Sequence, residues 1–375
     1  MKFDPDSIQT LVIKIGTSLL SGRRAFEGQV MESVVKEICR LKEAHPLSVL
    51  IVTSGAIGCG MNTLKLVRRP EALPDKQAVA AVGQATLMHY YETLFMTYGE
   101  GLHTAQVLLT LRDLDERGSY LNVRNTIQHL FQMKSIIPIV NENDSTAVDQ
   151  LRFGDNDTLA AKISAKLGAG LFIILSDIDG LYAGNPQTNP DVPHIPVVEE
   201  ITPEIEQFAG GAGTLTGTGG MRTKIVAARI AVAAGVPTVI ANGHTPNIIH
   251  SVLDGDARCT LFKPGESALP HRKRWIAFGR TVHGAITVDP GAREAIVTHG
   301  KSLLSAGITQ STGDYSAGDA VEIRDQHGAL IARALVNYSS AEVARIMGRQ
   351  SHEIQAILGQ KLYDEVVHRD NLVLI

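Results

Sequence analysis

Along the first two-thirds of the chain, short unbroken apolar runs alternate with longer segments whose apolar positions recur every three or four residues. Residues 10–15 (TLVIKI), 48–53 (SVLIVT), 136–140 (IIPIV), 171–176 (LFIILS) and 238–241 (TVIA) predict buried strands. Each is short and almost wholly apolar, and each is followed by Gly, Ser, Asn or Asp. Residues 28–43, 76–97, 156–167 and 221–234 carry the helical pattern. Fully apolar strands alternating with helices predict an α/β fold whose mainly parallel sheet is sandwiched by helices.

The texture changes near residue 263. KPGESALPHRKRW mixes Pro, Gly and basic residues and reads as a linker, and beyond it short strand-like pieces are broken by Gly at close spacing. The expected organisation is an α/β domain over 1–265, a linker over 266–279, a small β-barrel-like domain over 280–362 and a tail over 363–375.

With 375 residues, 44% of them hydrophobic and 20% charged, the chain has ample core for two globular domains. The formal charge of −4 argues against a surface built throughout to hold nucleic acid. Cys39, Cys59 and Cys259 lie far apart with no CxxC pair, which argues against a structural zinc site and a disulfide framework. MKFDPDSIQT lacks the basic and apolar regions of a signal peptide, and no apolar stretch reaches membrane-spanning length. A cytoplasmic enzyme of small-molecule metabolism is the expectation.

Candidate chemistry collects where strands end, which is where open α/β sheets bind ligands. KIGTS places Lys14 and Gly16 beside an apolar strand, TSGAIGCG follows the second strand with Ser54 and Gly55, and GTGGMRTK opens a helix with Gly220 and Lys224. Backbone N–H groups at glycines and helix N-termini favour phosphate, and lysines add full charge. One such turn alone is as readily an ordinary strand-to-helix connection. Three together point to an anion. Neither GxxxxGK[ST] nor a GxGxxG after the first strand occurs, which removes the P-loop and dinucleotide-dehydrogenase classes. NEND (141–144) and FGDND (153–157) add carboxylates and amides that serve an ammonium, a carboxylate or Mg²⁺ as well as they cap helices. On this chemistry Lys14 and Lys224 are the candidate catalytic cations, with Asp157 a candidate for orienting them.

In order and spacing, KIGTS, VTSGAIG, AVGQ, PIVNEND, FGDND, LSDIDGLY and GTGGMRTK resemble the amino-acid kinase superfamily and, within it, the glutamate 5-kinase family. RKRWIAFG and NYSSAEVARIMGRQSHEIQAILG extend the resemblance through the second domain, which resembles a PUA domain. Where many relatives carry Thr-Asp, this chain has Ser176-Asp177. The resemblance implies transfer of the γ-phosphoryl of ATP, with Mg²⁺, to the side-chain carboxylate of L-glutamate, the first step of proline biosynthesis. It assigns glutamate to Ser54, Asp144 and Asn156. ATP falls to Lys14, Ser176, Asp177 and to Thr218, Gly219, Gly220, Met221, Arg222, Thr223 and Lys224. No metal ligand is assigned. It further implies feedback inhibition by L-proline and a homo-oligomer, dimer or tetramer. Aspartate, acetylglutamate, carbamate and uridylate kinases are the nearest rivals. RNA binding through the second domain is a weaker one, given the acidic balance and 5% aromatic residues.

Overall fold

Six consecutive residues, Thr10–Ile15 (β1), run through the middle of the first unit with five of them buried. The computed structural model describes residues 2–20, 28–147, 155–186, 189, 191–208, 220–265, 282–359 and 363–375. Packing divides the chain into two compact units, 1–266 and 267–375.

In the first unit β1 is joined by Ser48–Val52 (β2), His103–Leu109 (β3), Ile136–Glu142 (β4), Leu171–Ser176 (β5), Leu181–Tyr182 (β6), His194–Ile195 (β7), Val197–Val198 (β8), Thr238–Asn242 (β9) and Cys259–Phe262 (β10). Eight of these form one sheet in the order β3-β4-β2-β1-β5-β9-β10-β8. The pairs from β3 through β9 are parallel, and only β10 runs against its neighbour β9. The register sets Lys14 beside Val52 and Ile174. Pro138 lacks an N–H to donate, and the pairing of β4 with β2 is confined to Ile139 and Val140 beyond it.

Alternation along each strand sends successive side chains to opposite faces. Leu11, Ile13 and Ile15 belong to one core layer with residues of Gln29–Ala44 (α2), Leu73–Tyr98 (α4) and Ile248–Asp254 (α5). Val12 faces the other layer with Phe172, Ile174 and the alanines of Asp155–Leu167 (α6) and Met221–Ala233 (α7). This two-sided burial explains the unbroken apolar strands. The amphipathic edge strand β3 lacked that signature, and the helices Leu111–Asp115 and Arg117–Gln132 that follow it were equally unforeseen from the apolar runs.

The second unit holds a five-stranded sheet in which Val282–Val288 (β11) lies between Ile308–Gly313 (β12) and Ala320–Arg324 (β13), followed by Leu330–Leu335 (β14) and Leu372–Leu374 (β15). It is mixed, with β11 parallel to β13 and antiparallel to β12. Helical segments contribute Ile296, Val343, Ile346 and Ile354 to its core, more than a nearly all-β reading implies. The Ser339 capping box, with the hydroxyl on Glu342 N and the Glu342 carboxylate on Ser339 N, starts one of them and contributes about 1 kcal/mol.

The expected linker lies outside the described residues. Cys39, Cys59 and Cys259 are unpaired. Among the described residues, no helix is long and apolar enough to cross a membrane.

Candidate functional site: a carboxylate between two lysines

Period-two alternation puts Lys14 on the same face of β1 as Val12, the face covered by α6 and α7. Those two helices meet through small side chains, with Ala160, Ala161, Ala227, Ala228 and Ala231 all fully buried. Close approach of the helices brings together their first turns, Asn156-Asp157 on one and Thr223-Lys224 on the other. Asp157 stands where the three elements converge.

The Lys14 Nζ lies 2.6 Å from Asp157 Oδ1, and the Lys224 Nζ lies 3.6 Å from Asp157 Oδ2. The Thr223 hydroxyl donates to Asp157 Oδ2 at 2.7 Å. Burial alone would push the Asp157 carboxyl up, but the two ammonium charges and its hydrogen bonds outweigh it and hold the group below its ordinary value. Burial pushes Lys224 below the ordinary lysine value, against the pull of Asp157, and repulsion from Lys14 adds to the fall. The Asp177 carboxylate also acts on Lys224 and favours its charged form. The result is a compact cluster with two cations for one anion at its centre.

A second group of side chains lies at the ends of β2 and β4. Gly55 sits at φ 103°, a left-handed conformation suited to glycine, and lets the chain turn from β2 into Ala56–Thr63. That turn carries Ser54, whose Oγ accepts from Asn156 Nδ2 at 3.0 Å. Asn156 Nδ2 also donates to Asn141 Oδ1 at 3.1 Å, and Asn141 Nδ2 donates to Gln84 Oε1 on α4 at 2.8 Å. Neighbouring residues 156 and 157 thus tie the two groups together.

The remaining expected positions are placed as follows. Ser176 ends β5 and donates to Asp177 Oδ1 at 3.0 Å. Asp144 is half-buried in the turn after β4. Gly220 precedes α7, Met221 packs on the core, and Arg222 is exposed. Thr218 and Gly219 lie outside the described residues. The Gly16 N–H donates to Leu175 O at 3.1 Å, so that donor already has a protein partner. Asn141 and Gln84 were not singled out from sequence. They stand in NEND and AVGQ, but only the sheet order brings β4 and α4 beside Asn156.

A family model described as the amino acid kinase family matches residues 9–242, which hold both groups of side chains. The chain belongs to the amino acid kinase family. A PUA domain model matches residues 284–358 of this amino acid kinase. Relatives similar to it over nearly their whole lengths are named glutamate 5-kinase. The protein of Caldanaerobacter subterraneus subsp. tengcongensis is 47% identical over 97% of both chains. That of Moorella thermoacetica is 48% identical over 97% of this chain and 96% of its own. That of Geobacter sulfurreducens is 44% identical over 98% of both. Among solved structures, the UMP kinase of Bacillus anthracis is 12% identical at a TM-score of 0.46, over 68% of this chain and 96% of its own. An isopentenyl phosphate kinase is 18% identical at the same TM-score, over 68% and 100%.

Proposed function

We propose that this amino acid kinase is a glutamate 5-kinase, transferring the γ-phosphoryl of ATP to the side-chain carboxylate of L-glutamate and releasing L-glutamyl 5-phosphate, the first step of proline biosynthesis. The observation that carries the chemistry is the buried Asp157 with Lys14 on one oxygen and Lys224 near the other. The substrate's identity is supported by near full-length likeness to relatives of that name.

Phosphoryl transfer is mostly a matter of positioning and of stabilising the charge on the transferring group. A glutamate carboxylate, with a reference pKa near 4.3, is already ionised at neutral pH. It needs no general base. What it needs is cover for two anions brought into contact, and Lys14 and Lys224 supply it while Asp157 fixes both ammonium groups in place. Ser54, Asn156 and Asp144 hold glutamate. Ser176, Asp177 and residues 218–224 hold ATP.

Mg²⁺ bound with ATP would lower the charge on its phosphates further. Asp157 is engaged by two lysines, and no group of three His, Cys, Asp or Glu side chains forms a metal cage among the described residues. Those residues fit an ion held chiefly by phosphate and water, as Mg²⁺ usually is. Feedback inhibition by L-proline and assembly into a dimer or tetramer accompany this reading, as does a cytoplasmic setting. We place the functional boundaries at 1–265 and 280–362.

The test is Mg²⁺- and ATP-dependent turnover across glutamate, aspartate, acetylglutamate, carbamate and uridylate, with the acyl phosphate trapped as hydroxamate. Turnover with glutamate is expected. Turnover only with another acceptor overturns the assignment.

A further inference from the structure

The side-chain amides of Gln84, Asn141 and Asn156 form a chain whose polarity is set at one point by the backbone. The Glu142 N–H donates to Asn141 at 2.9 Å, and a backbone N–H only donates. The Asn141 atom facing it is therefore the carbonyl oxygen. Its NH₂ must then lie on the other side, where Gln84 Oε1 accepts at 2.8 Å. Gln84 in turn offers its own NH₂ to Gln106 Oε1 at 3.3 Å. Each amide's direction follows from the one before it.

The same logic fixes Asn156. Its partner atom on Asn141 is an oxygen, so Asn156 presents NH₂ there at 3.1 Å, and to Ser54 Oγ at 3.0 Å. Both amide hydrogens are then committed to the protein. What remains is Asn156 Oδ1, a buried acceptor with no hydrogen-bond partner among the described residues. A buried carbonyl oxygen left alone is costly, and a ligand that donates a proton to it removes that cost.

We propose that Asn156 receives the substrate's ammonium group and not a carboxylate: Asn141, its direction set by the Glu142 N–H and its NH₂ held by Gln84 as a positioning residue, keeps the carbonyl oxygen of Asn156 turned toward the substrate. An ammonium donates three hydrogens and accepts none, whereas a carboxylate only accepts and would be repelled by an inward-facing carbonyl. The inference rests on the glutamate reading above. It specifies which part of that amino acid this residue touches.

Three ligands separate the possibilities: L-glutamate itself, glutarate, which lacks the ammonium, and 4-aminobutyrate, which lacks the α-carboxylate. The full-length enzyme is compared with Gln84→Leu, which removes the acceptor for Asn141, and with Gln84→Glu, which keeps it. KM is measured for glutamate and for ATP, and inhibition constants for the two analogues.

In Gln84→Leu, the KM for glutamate and the inhibition constant of 4-aminobutyrate are expected to rise about fivefold, the scale of one neutral hydrogen bond. Glutarate binding and the KM for ATP stay unchanged, and Gln84→Glu restores most of the loss. If Gln84→Leu does not fold, Gln84→Met carries the same comparison. An equal loss for glutarate, a loss confined to glutarate, or no loss at all overturns the proposal. A wild-type enzyme that does not turn over glutamate overturns the substrate assignment together with this inference. That outcome is visible before any variant is made.

Discussion

Lys14 and Asp157 form an ion pair at 2.6 Å with side chains only 7% and 2% exposed, which shields the pair from solvent screening. With Lys224 3.6 Å from the second oxygen, one carboxylate holds two ammonium groups at the carboxyl end of a parallel sheet. Replacing either lysine by alanine removes half of the cationic cover. Lys14→Ala and Lys224→Ala are each expected to lower kcat by about 10²- to 10³-fold, the cost typical of deleting one charge-stabilising group. Steady-state kinetics on variants with native circular dichroism checks this, and near-normal kcat in either variant would refute that lysine's role.

Asp157→Asn leaves the same two cations buried without their counter-charge. A broken buried pair costs about 3–5 kcal/mol, so this variant should lose that much stability as well as activity. Urea denaturation at neutral pH measures the loss. In wild type the Asp157 carboxyl is held below its ordinary value, so the folded state favours the ionised form more than the unfolded chain does. Its contribution is full above the unfolded value near 3.9 and is lost as pH falls through the lower folded value. The acid limb of the wild-type stability curve should accordingly be weaker in Asp157→Asn. An identical acid limb in both proteins would contradict the assignment.

Lys224 titrates in the opposite region. Its folded value is depressed below 10.5, so on raising the pH the folded protein releases this proton before the unfolded chain does. Above that folded value the burial penalty on Lys224 is relieved, but the charge proposed to serve phosphoryl transfer is gone. The profile of kcat/KM for ATP, which reports the free enzyme, should fall on the alkaline side at a pH below 10.5. A flat profile up to pH 10.5 would rule this out.

Gly83 is where α4 crosses the helix Ala56–Thr63. A Cβ built there would sit 1.8 Å from Ala56 O and 2.2 Å from Gly60 N, both backbone atoms. Gly83→Ala should therefore force the helices apart, at about 1–3 kcal/mol. Because the displaced helix begins directly after Ser54 and Gly55, the KM for glutamate should rise more than the KM for ATP. Denaturation midpoints and the two KM values test both halves of this expectation.

Thr260 secures the chain beyond β5. Its buried hydroxyl donates to Ile195 O at 2.6 Å and accepts from Leu181 N at 2.7 Å, pinning the segment that follows Ser176 and Asp177. Thr260→Val keeps the shape but leaves a buried N–H unpaired, which costs about 1–3 kcal/mol. The KM for ATP should rise while that for glutamate does not. An increase in the glutamate KM alone would show that this segment does not serve the nucleotide.

The sheet was legible because burial on both faces leaves a plain mark, a run such as LFIILS with no polar interruption. β3, HTAQVLL, borders the sheet and is only partly buried along most of its length, and its polar His103, Thr104 and Gln106 leave no continuous apolar run to announce it. The lysines and Asp157 stood out by charge and by their place beside glycine-rich turns. Gln84 did not, because nothing in a helical AVGQ says which strand end will lie opposite. Its partner Asn141 was visible as one of four polar residues in NEND, but its direction follows from a single backbone N–H. Sequence offers residue types and spacing. Amide polarity is a property of the assembled contacts.

The meeting of β1, α6 and α7 at Asp157 also bears on how the enzyme comes into being. A chain emerging in order would complete β1 early and α6 next, leaving Asp157 with one ammonium neighbour until residue 224 arrives. Each closure spans a long loop, and contacts between distant segments form late. The charge cluster is therefore a checkpoint on assembly: its full complement of cations exists only once α7, the last made of the three elements, has docked against β1 and α6.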